Sequence, residues 1–305
     1  MPETINTKLM IIGAGPAGIA AAIYLKRADI PFVLFESGEP GGLLRNAFLV
    51  ENYPGFPGGI KGAELVDRMV HQMEELGIEI TKERVEKFEL EEEEFKAETI
   101  KGTYRSEIAV IASGTVPVEP DGIEISPEAS ARVFREVIDV AGIEGKRFAV
   151  IGGGDAAFDY ALSLAENNDV AIFVRGSEPR CLELLIERCV DHERIAIYVD
   201  TEILEIDDGD DGIVMIGNGS GEDGSNQAKI SISVEADYAV IATGRKPSVD
   251  FLEPSVTGKI DLLLASGFLY LVGDAGHGRY RQASIAIGEG VAAAMRIEGL
   301  FPGER

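Results

Sequence analysis

The sequence feature that most constrains the fold is a glycine-rich turn between two apolar runs near the N-terminus. The first apolar run, Leu9 to Ile12, leads directly into a turn that carries Gly13, Gly15 and Gly18. Small and apolar residues follow with the spacing of a buried helix, and a second apolar run ends on Glu36. A strand, a glycine turn, a helix and a strand that ends on an acid are typical of a dinucleotide-binding unit.

Each residue type in this motif has a mechanical role. Gly13 permits a tight turn, Gly15 lets the backbone approach a pyrophosphate, and Gly18 lets the helix pack closely on the strand. The helix N-terminus directs its N–H groups at the phosphates. Glu36 is expected to accept hydrogen bonds from an adenosine ribose. The motif therefore predicts a dinucleotide site in preference to a purely structural turn.

The pattern restarts in the second half of the chain. The run RFAVIGGG, residues 147–154, is followed by a helical stretch and by another short strand, 169–174. The first unit closes with IAVIASGTVP and the second with YAVIATGRKP. A further strand and helix follow Lys246, so the second unit interrupts the first. The sequence predicts an α/β fold of two Rossmann-like, three-layer domains with β-meander insertions: residues 1–117 and 246–305, and residues 118–245.

Composition excludes some partners and sites. The formal charge of −25 disfavours nucleic acid and acidic lipid surfaces, and we interpret it as solubility or adaptation to a salty cytoplasm. No apolar run approaches the roughly 18 residues of a membrane span, so a cytoplasmic location is expected. Cys181 and Cys189 lie roughly 12 Å apart on a helix and are interpreted as structural thiols. The acidic run Glu91 to Glu94 is interpreted as a hairpin turn, and no metal site is predicted.

Across nearly its whole length the chain resembles the thioredoxin reductase branch of the flavoproteins with two dinucleotide-binding domains. The resemblance rests on the first glycine motif with its acid and on five further motifs: GG…ENYPGFPGG, ASGT, IGGGDAA, ATGR and VGDA…YRQA. It implies FAD in the first unit and NAD(P)H in the second. It also implies a homodimer and a domain rotation that alternately brings nicotinamide or substrate to the flavin.

The resemblance also implies which residues hold the cofactors. On the FAD side these are Gly13, Gly15, Pro16, Ala17, Gly18, Glu36, Ser37, Gly41, Gly42, Leu43, Leu44, Asn52, Val85, Ala112, Ser113, Gly114, Gly273, Asp274, Arg281, Gln282 and Ala283. On the NAD(P)H side these are Gly152, Gly154, Asp155, Ala156, Ala157, Arg175, Arg180, Gly244 and Arg245. Val85 would meet the adenine through its backbone. Leu43 replaces a family Gln, which removes a hydrogen bond near the flavin. No catalytic acid or base is assigned, because a lone His277 in a Gly-rich loop is more often a structural hydrogen-bonding group.

Two departures from the family pattern bear on function. The family's redox CxxC-Asp should fall at Arg135 to Asp139, which reads REVID and contains no cysteine. Without a dithiol there is no internal relay from flavin to thioredoxin. The family's HRRxxxR becomes 173–180, which keeps Arg175 in place and puts Arg180 one residue late. No carboxylate replaces the ribose acid, so NADPH is favoured over NADH, which stays possible.

These observations predict an FAD-dependent oxidoreductase that takes a hydride from NAD(P)H and passes electrons to an external acceptor. Acceptors left open are a small disulfide, a quinone, oxygen or an electron-carrier protein. One alternative is a ferredoxin-linked reductase, which the net acidity disfavours. The other is a non-catalytic flavin sensor or electron-transfer protein with a vestigial nicotinamide site.

Overall fold

The computed structural model describes residues 4–219, 230–278 and 280–301. The chain divides into two compact units. The first unit comprises residues 1–45, 50–116 and 246–305, and the second comprises residues 46–49 and 117–245. In the described part of the chain, no helix combines the length and the apolar character that crossing a membrane requires.

Most regular elements are short and are joined by short loops. The helices are α1 (Pro16–Arg27), α2 (Gly62–Glu75), α3 (Asp155–Ala165), α4 (Glu183–Val190), α5 (Pro254–Thr257), α6 (Ile260–Ser266) and α7 (Ala283–Glu298). The strands are β1 (Thr4–Asn6), β2 (Leu9–Ile12), β3 (Val33–Glu36), β4 (Ile80–Lys82), β5 (Lys87–Glu91), β6 (Glu94–Glu98), β7 (Thr103–Ser106), β8 (Ile108–Ile111), β9 (Thr115–Pro117), β10 (Glu124–Ile125), β11 (Val133–Phe134), β12 (Arg147–Ile151), β13 (Asp169–Phe173), β14 (Ile195–Tyr198), β15 (Glu202–Gly209), β16 (Gly212–Gly219), β17 (Ile230–Ala236), β18 (Tyr238–Ile241), β19 (Arg245–Pro247) and β20 (Leu269–Leu271).

The first unit is built in three layers around a parallel sheet of order β20-β8-β2-β3-β4. Successive residues of β2 face opposite sides of this sheet. Leu9 and Ile11 join a core with residues of α1, α2 and α7. Met10 and Ile12 join a core with Phe88 and other residues of the antiparallel meander β5-β6-β7. Because both faces are covered, the strand is apolar throughout, which explains the unbroken run in the sequence.

The second unit repeats this construction. Its parallel sheet has the order β11-β18-β12-β13-β14. Phe148 and Val150 of β12 pack against α3, whereas Ala149 and Ile151 pack against residues of β15 and β16. Strands β15, β16 and β17 form the antiparallel meander. The predicted α/β class with two three-layer, Rossmann-like units and meander insertions is confirmed.

The positions of several short segments differ from those predicted from the sequence. Residues 46–49, expected in the first domain, pack in the second unit. Sequence reasoning missed β7, because TYRS is short and mostly polar. The acidic run is a turn as expected: β5 ends at Glu91 and β6 begins at Glu94. The assignment of one cofactor to each domain stays a prediction.

Candidate cofactor sites

The first glycine turn is shaped by the strand beside it. Gly13 has φ +104°, and a Cβ at this position would lie 2.4 Å from the Ala112 carbonyl oxygen. The Gly13 N–H donates to the Phe35 carbonyl at 2.9 Å, and the Ala112 N–H donates to the Ile12 carbonyl at 2.8 Å. Two neighbouring strands therefore fix the turn, and only glycine fits at its start.

Helix α1 begins directly on this turn. A Cβ at Gly18 would lie 1.9 Å from the Gly13 carbonyl oxygen, so the helix could not approach so closely with any other residue. A Cβ at Gly15, in contrast, would have no atom within 4 Å. No side chain of the described residues caps α1, which starts at Pro16. The open space and the uncapped N–H groups of Ala17 and Gly18 fit a pyrophosphate.

The acid at the end of β3 lies against the same turn. Glu36 accepts hydrogen bonds from the Ala14 N–H through Oε2 and from the Gly38 N–H through Oε1, each at 2.8 Å. Backbone amides thus fix the carboxylate, and each oxygen keeps a further lone pair for a ribose hydroxyl. Ser37, which follows, is exposed.

The Gly-rich loop after β3 returns to the turn. Gly41 has φ +105°, and a Cβ there would lie 2.1 Å from Cγ1 of Val66. Its N–H donates to the Ala14 carbonyl at 2.7 Å. A 3-10 helix, Gly42–Asn46, then carries two more of the predicted flavin-side residues, Leu43 and Leu44.

Distant segments meet around the rest of this candidate FAD site. The Asn52 side-chain amide donates to the Gln282 side chain at 2.6 Å, across 230 residues of sequence. Gln282 is the N-cap residue of α7, whose first residue is Ala283. The side chain of Val85 is buried in the core, so its contact with an adenine through the backbone stays a prediction.

The ASG segment leaves β8 in a fixed conformation. The Ser113 hydroxyl donates to the Ser248 carbonyl at 2.6 Å, and the Ser248 N–H donates to the Gly114 carbonyl at 2.9 Å. Gly114 has φ +65° and open space beside it. The segment therefore offers backbone groups rather than side chains to a bound cofactor.

The VGDA segment forms a 3-10 turn, Gly273–Ala275, after β20. The Gly273 N–H donates to Glu289 Oε2 at 2.8 Å, and Glu289 Oε1 contacts His277 Nε2. Arg281 Nε lies 3.5 Å from the His277 carbonyl, and Asp274 is half-buried in the turn. Sequence reasoning missed Glu289, although it treated His277 as a structural group, which this contact supports.

The second glycine turn has the same pattern of backbone hydrogen bonds as the first, although Gly152 has φ +155° where Gly13 has φ +104°. A Cβ at Gly152 would lie 2.4 Å from the Ala242 carbonyl oxygen. The Gly152 N–H donates to the Phe173 carbonyl at 3.1 Å, and the Ala242 N–H donates to the Ile151 carbonyl at 2.8 Å. Gly154 is the N-cap of α3 and has open space beside it.

The surroundings of this second turn differ from those of the first. Val174, which is buried, takes the position that Glu36 has in the first unit. The Arg180 N–H donates to the Gly153 carbonyl at 2.6 Å, and Asp155 Oδ1 accepts the Leu182 N–H at 2.9 Å. Asp155 thus positions the 180–182 segment. Ala156 is exposed at the start of α3, and Ala157 is buried.

The two arginines expected at the nicotinamide side are both exposed. The Arg175 side chain is 76% exposed and lies 4.0 Å from Glu202. Arg180 is fixed by its backbone and its side chain is at the surface. Exposed guanidinium groups of this kind can bind a phosphate.

Arg245 departs from expectation. Its guanidinium is largely buried and pairs with Glu136. The same carboxylate accepts the Tyr160 hydroxyl at 2.9 Å and the Asn46 side-chain amide at 2.7 Å. We refer to Asn46, Glu136, Tyr160 and Arg245 as the Glu136 network. Arg245 therefore neutralises a buried carboxylate of its own unit, which a sequence motif alone does not reveal. Gly244 before it has φ +139° and accepts the Val118 N–H at 3.0 Å.

The segment at the expected dithiol position is a 3-10 helix, Val137–Val140. Arg135 lies 3.5 Å from Glu119, and the Ile138 side chain is exposed. The two cysteines are free thiols elsewhere in this unit. Burial raises the pKa of Cys181 to about 11 and that of Cys189 to about 12, so neither forms a thiolate readily.

One half-buried carboxylate on α3 has a shifted pKa. Asp159 Oδ2 accepts the Phe48 N–H at 2.9 Å. Burial raises the pKa of Asp159 to about 6 and the nearby Asp155 adds to this, whereas the Phe48 and Leu49 amides oppose it. The carboxylate holds the 46–49 segment on the second unit.

Comparison with known proteins agrees with this geometry. The pyridine nucleotide-disulphide oxidoreductase family model matches residues 7–290. A thioredoxin reductase of Rickettsia felis is 31% identical over 96% of this chain and 98% of its own length. The NADPH-dependent thioredoxin reductase 3 of Arabidopsis thaliana is 29% identical over 96% of this chain and 58% of its own. The thioredoxin reductase structure of Lactococcus lactis, 28% identical, has a TM-score of 0.82 and covers 97% of this chain and 100% of its own. The chain belongs to the pyridine nucleotide-disulphide oxidoreductase family and, within it, is a thioredoxin reductase-like protein.

Proposed function

We propose that this protein is an FAD-dependent NADPH oxidoreductase that delivers electrons to an external acceptor without an internal dithiol. Thioredoxin reductase homologues use FAD and NADPH. FAD, when bound, supplies the capacity to accept and release two electrons. The protein's contribution is to hold the cofactors and to keep competing reactions away.

The observation that carries the proposal is the composition of the 135–139 segment. Arg135 and Ile138 stand where the family's cysteines are expected, and Glu136 between them is held by the Glu136 network. A disulfide cannot form there. Desolvation raises the pKa values of the half-buried Cys181 and the buried Cys189, so these thiols are poor substitutes for a redox pair.

The first unit supports an FAD site. Its glycine turn offers open space at Gly15 and uncapped amides at the start of α1. Glu36, Asn52 and Asp274 are the side chains that we assign to the ribose, the flavin ring and the ribityl chain respectively. These three assignments come from the family resemblance, and the position of Glu36 beside the glycine turn supports the first of them.

The second unit supports NADPH. Gly154 and the uncapped start of α3 suit a pyrophosphate. Val174 offers no acceptor to a ribose hydroxyl, which removes the usual basis for preferring NADH. The exposed Arg175 and Arg180 are assigned to the extra phosphate of NADPH. We further propose that the protein forms a homodimer and is located in the cytoplasm.

One observation favours a second candidate, a flavin protein with a vestigial nicotinamide site. Arg245, expected to contact the nicotinamide cofactor, pairs with Glu136 instead. Anaerobic mixing separates the two functions. The oxidoreductase proposal expects the flavin absorbance to bleach within seconds of NADPH addition and to recover when a quinone or a small disulfide is added. Absence of bleaching with both NADPH and NADH would support the vestigial site and overturn the enzyme.

A further inference from the structure

One carboxylate outside the sequence motifs contacts two parts of the VGDA turn. Glu289 lies on α7, seven residues beyond Gln282. Its Oε2 accepts the Gly273 N–H at 2.8 Å, and its Oε1 contacts His277 Nε2. The side chain is 28% exposed, so about three quarters of its surface is removed from solvent. A single side chain from the helix therefore fixes both the first residue of the turn and the loop that follows it.

The turn needs such a partner because of its backbone. The Gly273 N–H donates to Glu289 on α7, whereas the preceding Val272 N–H still pairs with β8, and Gly273 then turns the chain with φ +64°. A Cβ at Gly273 would lie 3.0 Å from the Cβ of Ala17 on α1. The turn thus lies directly against the first turn of the glycine-motif helix.

The same stretch of α7 packs on α1 itself. A Cβ at Gly290, next to Glu289, would lie 2.1 Å from the Ala17 carbonyl oxygen. The helix therefore approaches the start of α1 as closely as backbone atoms allow. Glu289 is fixed relative to the glycine turn by this packing, and through its carboxylate it fixes the 273–277 segment in the same frame.

We propose that Glu289 is a positioning residue for FAD: it holds the Gly273 peptide so that Asp274 is presented to the cofactor, and His277 holds the carboxylate in turn. The inference rests on the proposed FAD site of the first unit. Loss of Glu289 would leave the Gly273 N–H without its acceptor and the turn free to move, with Asp274 no longer in register with the glycine motif.

The test compares FAD binding by the apoprotein across four variants, with flavin fluorescence as the readout. Glu289→Leu keeps the volume but removes the acceptor, and we expect its FAD dissociation constant to rise roughly 10-fold or more. His277→Ala should give a smaller rise, since the Gly273 bond remains. Glu289→Gln retains an amide oxygen for Gly273 and should bind like the wild type. Glu298→Leu is the matched control, because Glu298 lies on the same helix and accepts a hydrogen bond from the Tyr24 hydroxyl of α1 at 2.8 Å.

Two additional readouts distinguish positioning from general destabilisation. Amide hydrogen exchange of the 271–276 segment should accelerate in Glu289→Leu and stay unchanged in Glu298→Leu. The visible circular dichroism of the bound flavin should change in Glu289→Leu and be restored in Glu289→Gln. If Glu289→Leu fails to fold, His277→Ala decides, because its weaker FAD binding is required by the proposal.

The outcomes distinguish failure of the positioning role of Glu289 from failure of the proposed FAD-dependent function. If the wild-type apoprotein takes up no FAD, the proposed function fails. If the wild type binds FAD and both Glu289→Leu and His277→Ala bind it equally well, the function stands and the positioning role of Glu289 is overturned. Equal weakening by Glu289→Leu and Glu298→Leu would also overturn it, since loss of α7–α1 packing would then explain both.

Discussion

The two glycine turns share a pattern of backbone hydrogen bonds and differ in the residues that surround them. At both Gly13 and Gly152 a Cβ would lie 2.4 Å from a neighbouring carbonyl oxygen, and the flanking hydrogen bonds match closely in length. At the end of the next strand, however, the first unit has Glu36 and the second has the buried Val174. Strand packing therefore fixes the turn, and we propose that the residues that follow it select the ligand.

The helices that leave these turns differ as well. Gly18 allows α1 to approach within a distance that a Cβ would forbid, whereas α3 has Ala157 at the corresponding position. Two residues further along each helix, α1 has the apolar Ala20 and α3 has Asp159. Helix α1 is thus adapted to close packing on its turn, and α3 uses a carboxylate to hold the 46–49 segment.

The largest effect is expected when the residues at the corresponding positions of α1 and α3, Gly18 and Ala157, are exchanged. Gly18→Ala would drive a methyl group to 1.9 Å from the Gly13 carbonyl oxygen, so we expect loss of bound FAD and a large fall in the unfolding temperature. The reciprocal Ala157→Gly should cost only about 1 kcal/mol and leave FAD in place. Thermal unfolding and flavin content measure both. Normal FAD content in the Gly18→Ala variant would show that the close approach has no consequence.

The next effect tests the acid that distinguishes the turns. Glu36→Ala removes the acceptor of the Ala14 and Gly38 amides as well as the proposed ribose contact, so FAD affinity should fall at least roughly 10-fold. Val174→Ala at the corresponding position of the second unit is the control and should leave FAD affinity unchanged. Isothermal titration of the apoproteins would measure this, and an equal response of both variants would contradict the account.

A smaller effect is expected at the second turn. Neutralising both exposed arginines, Arg175→Gln with Arg180→Gln, should raise the KM for NADPH roughly 10-fold and leave the KM for NADH unchanged, because NADH lacks the extra phosphate. Arg68→Gln, an exposed arginine of the first unit, serves as the control. Steady-state kinetics with both nucleotides would reveal the difference. Equal losses with the two nucleotides would assign these arginines to another role.

The smallest effect concerns pH. Burial raises the pKa of Asp159 from 3.8 to about 6, so the folded protein binds this proton more tightly than the unfolded chain. The stability that this protonated carboxyl group contributes to the folded state is fully present below pH 3.8 and is lost as the pH rises through about 6. Asp159→Asn should therefore flatten the dependence of unfolding free energy on pH between these values. Denaturant titrations at several pH values would test it, and an unchanged slope would contradict the shifted pKa.

The fold was predictable because its determinants are local. The apolar run 9–12, the glycines after it and the repeat at 147–157 each specify a strand, a turn and a helix without reference to distant residues. The three layers follow from strands that are apolar on both faces. The order of motifs was sufficient to identify the inserted unit.

The remaining features depend on contacts that local patterns do not encode. Residues 46–49 belong to the second unit because Glu136 and Asp159 bind them, across 90 and 111 positions of sequence respectively. The ATGR motif predicts that Arg245 contacts the cofactor. Its ion pair with Glu136 becomes visible only in the folded structure, because the two residues are far apart in sequence. Glu289 lies in an ordinary helical stretch, and its role depends on the turn that packs beside it.

The most direct test of the central claim is an anaerobic titration of the FAD-loaded protein with NADPH, combined with a thiol count before and after. We predict that one equivalent of NADPH per flavin bleaches the visible band completely and that the thiol count stays at the two cysteines of the sequence. Uptake of a second equivalent with the appearance of new thiols, or a flavin band that NADPH leaves unchanged, would contradict the account.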